Sequence, residues 1–251
     1  TRPYSLWSGR KGGFRVACVK EAIVLAGGFG TRLSSVVSDV PKPMAPIAGR
    51  PFLELLLGNL ARNGFEHVVL SVGYMADAII DHFGEKWRSL HLHYALEQTP
   101  LGTGGAIREA MAHCETHHVY VFNGDTYLGL DCTATETLWA AHAAPIIVGL
   151  HVDDTARYGR LETDDDDRIL RFLEKEASGG PGLINAGCYV LPRDIVDEFP
   201  KTLRFSFETD YLRDAVSRRV FMVHRSHAQF IDIGTPEDYA HAQTLLAGEA
   251  G

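Results

Sequence analysis

From Glu21 to about residue 152 the chain repeats one unit: a short apolar or β-branched run, a turn of Gly or polar residues, then a segment of helical periodicity. Strands alternating with helices in this way select an α/β domain with a mixed, mainly parallel central sheet flanked by helices. The expected strands cover 22–27, 67–73, 92–97, 118–125 and 145–152, with helices over 51–64, 75–84, 104–114 and 133–143. Beyond residue 150 the rhythm changes. Residues 158–175 read as two strands joined by an acidic turn and 182–191 as a third; a helix over 207–219, strands at 220–225 and 229–234 and a helix over 236–247 follow.

A chain of 251 residues with 45% hydrophobic composition is long enough for a single domain with one sizeable core and a minor lobe. The formal net charge of −8 argues against a surface built to neutralise nucleic-acid phosphate, so no nucleic-acid partner is expected. No apolar run approaches the ~20 residues of a membrane span, and no membrane partner is expected either. Residues 1–18, which include Arg2, Arg10, Lys11 and Arg15, lack an apolar signal core and a cleavage motif and are set aside as an N-terminal extension. Cys18, Cys114, Cys132 and Cys188 are scattered without a C-x-x-C pair, which suits reduced thiols in a cytoplasmic protein. The histidines form neither H-E-x-x-H nor a Cys/His ladder.

The first strand runs into "AGGFGTRL", a Gly-rich turn at the strand end where α/β proteins bind ligands. Gly28 and Gly30 fit the dinucleotide spacing, but its third glycine is replaced by Leu33, and Lys42 in "PKP" is not followed by Ser or Thr as a phosphate loop requires. What remains is a flexible backbone beside two cations. Arg32 offers a planar fork for phosphate oxygens, and Lys42 a compact charge on a stiffened backbone.

Asp125 closes the fourth strand in "FNGD", and Asp232 sits between two isoleucines in "FIDIG". Two carboxylates from separate strand ends, leaving room for waters, suit octahedral Mg²⁺. "EQTPLGTGGAI" over 97–107 reads as a strand end, a glycine turn and a helix N-terminus, able to receive a planar ring or an anion. Glu174 and Lys175 in "FLEK" and Asn185 in "LINAG" adjoin apolar strand residues and match the hydroxyls and phosphate of a sugar phosphate. Asp165-Asp166-Asp167 satisfies a D-x-D pattern, yet lies where a hairpin turn is expected and reads as a solvated loop.

These motifs, with "YGRL", "FETD" and "IDIGTPEDY", resemble in their order the sugar-1-phosphate nucleotidyltransferases from about Glu21 to Leu246. Within them, "SVVSDVPKPMAPIAGRPFLE", "LSVGYMADAI" and "INAGCYVL" are most similar to the D-glycero-D-manno-heptose 1-phosphate guanylyltransferases, which make GDP-heptose for bacterial surface polysaccharides and glycans. "FLEKEA" departs from relatives that have Pro after the position of Lys175.

The resemblance implies a Rossmann-like nucleotidyltransferase fold, with a nucleotide-binding part over about 19–145 and a small β-rich sugar-phosphate lobe over about 146–251. The substrates would be GTP and a sugar 1-phosphate, the cofactor Mg²⁺, and a homo-oligomer is compatible with it. Arg32, Lys42 and Asp125 would be catalytic, and Asp125 and Asp232 would hold the metal. Ala26, Gly27, Gly28, Gly30, Thr31, Arg32, Gly73, Glu97, Gly102 and Thr103 would bind the nucleotide. Tyr158, Gly159, Glu174, Lys175, Asn185 and Asp210 would meet the sugar phosphate. Mannose-, glucose- and N-acetylmuramate-specific enzymes share most of the motifs. A non-catalytic nucleotide-sugar-binding module is the alternative from another class.

Overall fold

The computed structural model describes residues 20–28, 30, 32, 33, 35–175 and 179–250. The extension over 1–18, Cys18 and Thr31 lie outside the described residues.

In the first half, β1 (Lys20–Leu25), β2 (Pro46–Ile47), β3 (Arg50–Pro51), α1 (Phe52–Arg62), β4 (Phe65–Val72), α2 (Ala76–Phe83), β5 (Lys86–Trp87), β6 (Leu90–Leu96), α3 (Gly102–Met111), β7 (His118–Asn123), β8 (Thr126–Leu128) and α4 (Cys132–His142) follow one another. The second half contains β9 (Ile146–Val152), β10 (Arg160–Thr163), β11 (Ile169–Leu173), β12 (Gly182–Pro192), the short α5 (Arg213–Ala215), β13 (Met222–Ser226), β14 (Phe230–Asp232) and α6 (Pro236–Leu245).

Sequence periodicity explains how the layers form. Along β1, Ala22 and Val24 enter the core packed by α1, α2, α4 and α6, whereas Ile23 enters the opposite core with Ile107 of α3, Phe207 and Tyr211. Side chains alternating across a strand buried on both faces require such a continuous apolar run. Helix boundaries follow local chemistry as well. Gly64, at φ +75°, follows the C-cap of α1, while Asp131 caps α4 by accepting the Thr133 N–H at 2.9 Å.

Parallel pairings place β6, β4, β1 and β7 side by side in that order. Chain progression reverses between β1 and β7, so the loops after them flank a switch point, the crevice where open α/β sheets bind ligands. Beyond β7 the sheet continues with antiparallel β12, which also pairs with β9 and β10 and carries the C-terminal half of the protein.

Three features differ from the sequence expectation. The fourth strand ends at Asn123, because Gly124 and Asp125 turn the chain into β8, which pairs antiparallel with β14. The helix expected over 207–219 starts as a π-helical turn, Phe207–Leu212, and its α-helical part is only Arg213–Ala215. The chain also adds a 3₁₀ turn, Arg193–Glu198, after β12. The acidic tract does form the expected hairpin turn: Asp164 accepts from the Asp166 and Arg168 N–H groups, and Asp167 pairs with Arg225 at 2.6 Å.

Candidate active site

Two cavities open along the carboxyl ends of the strands. The larger, about 620 Å³, is bounded by the turn after β1, by Lys42, by the start of α3 and by Asn123 to Asp125 after β7. Ala26 and Gly124 are held there by backbone hydrogen bonds to Ser71 and Leu25 at 2.8 and 3.0 Å, so the loop enters the crevice from two fixed strand ends. Gly30 adopts φ +60°, and a side chain at that position would meet Lys42 Cβ at 2.8 Å. Both its conformation and its packing call for glycine.

Glu97, following β6, forms one wall of this cavity. Its carboxylate accepts from Ser71 Oγ at 2.9 Å and from the Leu101 N–H at 3.1 Å, leaving further lone pairs for a ligand. The glycine turn beyond it has a second task. Gly102, at φ +70°, lies under the Phe205 carbonyl, Gly104 donates its N–H to that carbonyl at 3.1 Å, and the Phe205 ring covers Gly104. Hence a loop from the C-terminal half lies across the start of α3, and Arg204 from that loop joins the cavity wall.

The smaller cavity, about 380 Å³, is walled by the β10–β11 hairpin, by β12 and by the turn that begins at Ser206. Tyr158, Gly159, Glu174, Lys175, Asn185 and Glu208 all line it. Asn185 donates to the Tyr189 hydroxyl at 2.7 Å, and Tyr189 donates onward to Glu208 at 3.1 Å. Burial, with the charge of Glu208 next in importance, pushes the Tyr189 phenol well above its ordinary range, so it remains a donor. Glu208 also accepts from Thr103 Oγ1 at 2.7 Å and Ser206 Oγ at 3.0 Å.

Asn123, Lys175 and Asp232 line both cavities and form the seam between them. Pairing of β8 with β14 sets Asp232 opposite Thr126, and the Ile233 N–H donates to the Asp125 carbonyl at 3.0 Å. The Lys42 ammonium donates to Asp125 Oδ2 at 2.6 Å and lies 4.0 Å from Asp232 Oδ1. That second contact is an ion pair without a hydrogen bond, and Asp232 Oδ1 is buried with no hydrogen-bond partner. Burial first, and the charge of Asp125 second, raise the Asp232 carboxyl above its usual range, with Lys42 acting in opposition.

An orphaned buried oxygen beside a second carboxylate fits a divalent cation. Among the described residues no cluster of three His, Cys, Asp or Glu could hold a metal. Two carboxylates with the remaining positions filled by water and phosphate is how Mg²⁺ is ordinarily bound at nucleotide sites.

Lys175 and Asp232 border both cavities, and most of the other expected site residues fall on one or the other. Ala26, Gly27, Gly28, Gly30, Arg32, Lys42, Glu97, Gly102, Thr103 and Asp125 surround the larger cavity. Gly73 stands behind it, where an added Cβ would meet the Gly27 carbonyl at 3.3 Å. Asp210 does not line the smaller cavity; its carboxylate accepts the Ser206 N–H at 2.7 Å and so closes the start of the π turn. Asp210, one residue beyond the usual third position of a capping box, is thus spent on the Ser206 N–H, and Glu208 takes the wall position instead. Asn123, Arg204 and Glu208 are among the wall residues that motif reading missed, with Thr126, Arg157, Ser206 and Thr209. Asn123 was present in "FNGD", whereas Arg204 and Glu208 depend on how a distant loop crosses α3.

Two cavities, one lined by a glycine turn with cations and the other by hydroxyl-pairing groups, thus lie side by side and share Asp232, an arrangement that suits an enzyme acting on two substrates at once. The chain belongs to the nucleotidyl transferase family, whose model matches residues 21–249. It is 38% identical over 222 residues to the D-glycero-alpha-D-manno-heptose 1-phosphate guanylyltransferase of Campylobacter jejuni, covering 88% of this chain and 97% of the relative. It is 36% identical to the mannose-1-phosphate guanylyltransferase of Mycobacterium tuberculosis, covering 90% of this chain and 64% of that protein. The crystal structure of HddC from Yersinia pseudotuberculosis complexed with GMP-PN superposes with a TM-score of 0.78 at 40% identity, covering 90% of this chain and 98% of that one.

Proposed function

We propose that the protein transfers a guanylyl group from GTP to D-glycero-α-D-manno-heptose 1-phosphate, releasing pyrophosphate and GDP-heptose. The observation that carries this reading is the seam: Asn123, Lys175 and Asp232 border both a cavity suited to a nucleotide and one suited to a sugar, and Lys42 and Asp125 stand beside Asp232 on the nucleotide side. The similarity to a heptose 1-phosphate guanylyltransferase and to a structure complexed with GMP-PN supports the choice of sugar and base.

A phosphate oxygen of the sugar phosphate attacks the α-phosphorus, and pyrophosphate leaves from the opposite side. The nucleophile is already an anion at neutral pH, so no general base is required. The obstacle is repulsion between two polyanions, which positioning and cations must overcome. Arg32 and Lys42 neutralise the triphosphate, and Lys175, which borders both cavities, meets the sugar phosphate. Glu97 is an acceptor that suits the N–H groups of guanine, and Glu174, Asn185 and Glu208 suit sugar hydroxyls. Asp125 and Asp232 would hold Mg²⁺, which when bound supplies charge stabilisation for the transferred phosphoryl group.

Pyrophosphate release is the test, with GTP, ATP, CTP, UTP and dTTP each offered heptose, mannose and glucose 1-phosphates. GTP with the heptose should give the highest kcat/KM. Preference for mannose 1-phosphate with GTP would replace the sugar assignment, and preference for dTTP or UTP with glucose 1-phosphate would overturn both assignments. Nucleotide-sugar binding without turnover would identify a non-catalytic binding module.

A further inference from the structure

The position of Lys42 says something about when the metal arrives. Its backbone is fixed: Pro41 and Pro43 flank it, the 3₁₀ turn Lys42–Met44 starts there, and Gly30 packs against its Cβ. Its ammonium, at the end of a flexible four-carbon stem, is free to move between partners. In this structure it donates a hydrogen bond to Asp125 Oδ2 at 2.6 Å and lies 4.0 Å from Asp232 Oδ1. One monovalent cation thus serves both carboxylates, although it leaves Asp232 Oδ1 without a hydrogen bond.

A dication on the same carboxylates would share Asp125 with the ammonium and be repelled by it at close range. Among the described residues no third carboxylate, His or Cys completes a metal site, so a nucleotide phosphate is the anionic ligand that would strengthen a dication held by two carboxylates and water. That phosphate is also the anion able to draw the ammonium away.

We propose that Lys42 is the resting occupant of the Asp125–Asp232 pair and excludes a divalent cation until nucleotide phosphate withdraws it. Metal and nucleotide then enter together, and the free enzyme does not store metal. The inference rests on the assignment of Asp125 and Asp232 as metal ligands.

Binding of Mn²⁺ alone to the full chain, followed by the loss of its free-ion paramagnetic resonance signal, tests the exchange without turnover. Lys42→Met should bind Mn²⁺ at least ~10-fold more tightly than wild type, because a close positive charge has been removed. Lys42→Arg should stay as weak as wild type, and Lys42→Met combined with Asp125→Asn should lose the gain. Equal affinities of wild type and Lys42→Met, or tight binding by Lys42→Arg, would overturn the proposal.

A measurement on wild-type protein does not depend on how the variants fold. The Lys42 ammonium resonance in ¹⁵N-lysine-labelled enzyme should be unmoved by millimolar Mg²⁺ and should shift with a non-hydrolysable GTP analogue; movement by Mg²⁺ alone refutes the exchange. Failure of the metal assignment itself reads differently, since Asp125→Asn would then retain Mn²⁺ in the presence of the analogue as well as wild type does.

Discussion

Replacing Gly27 by Ala places a methyl group on Glu97 Oε1, with the Gly73 backbone nitrogen 3.3 Å away. The backbone cannot retreat easily, because Ala26 is bonded to Ser71 in the neighbouring strand at 2.8 Å. The Glu97 carboxylate must move instead and lose its bonds from Ser71 Oγ and the Leu101 N–H. A hydrogen bond to a charged group contributes about 1.5–3 kcal/mol, and the displaced carboxylate recovers part of this from water, leaving a net cost of about 1–3 kcal/mol. In a domain of this size that corresponds to a fall in Tm of roughly 2–12 °C.

The functional effect should be selective. Glu97 borders the larger cavity and not the smaller one, so the KM for GTP should rise about 10- to 100-fold, or 1.4 kcal/mol per decade, while the KM for the sugar phosphate stays unchanged. Pyrophosphate release with each substrate varied in turn, together with a thermal melt, measures both effects. Gly28→Ala is the control, since nothing lies within 4 Å of its added Cβ, and its Tm should remain that of wild type. An unchanged GTP KM and Tm in Gly27→Ala would show that Glu97 is not fixed as described and would refute the reasoning.

Three further outcomes follow from the geometry. Glu208→Ala should raise the KM for sugar phosphate by ~10-fold or more through loss of a charged acceptor, whereas Asp210→Ala should cost about 1 kcal/mol of stability as a lost cap and leave both KM values intact; steady-state kinetics and urea unfolding separate the two. Burial acts to raise the Glu21 carboxyl, but hydrogen bonds from Thr116, His67 and Glu115 prevail and lower it. Its stabilising contribution is therefore complete above the ordinary value of 4.5 and lost as pH falls through the lower folded value, so the stability gap between wild type and Glu21→Gln should close on acidification. Lys175→Ala should raise the KM for sugar phosphate more than that for GTP, and an equal rise in both would remove it from the sugar cavity.

The central sheet was legible because β1, β4 and β7 each carry an uninterrupted apolar stretch, 22–25, 68–70 and 119–122, and buried parallel strands need little else to declare themselves. β8 was not legible. Thr126–Leu128 is too short for a pattern, and its partner β14 lies about a hundred residues away, so only the tertiary fold reveals why Asp125 and Asp232 stand together. The cations, carboxylates and glycines were readable as residue types whose spacing carries chemistry. Glu208 was missed and Asp210 favoured because two acids separated by one residue look alike in sequence, while Ser206, which bonds to both, ties Asp210 to the backbone and leaves Glu208 on the cavity wall.

The bond from Thr103 to Glu208 joins residues that belong to different walls, Thr103 to the larger cavity and Glu208 to the smaller one. A hydroxyl-bearing ligand in the smaller cavity that competed for the Glu208 oxygens would reach the wall of the larger one by the reorientation of the Thr103 hydroxyl. Linkage then requires symmetry: the factor by which one substrate alters the affinity for its partner is the same in both directions, whichever binds first.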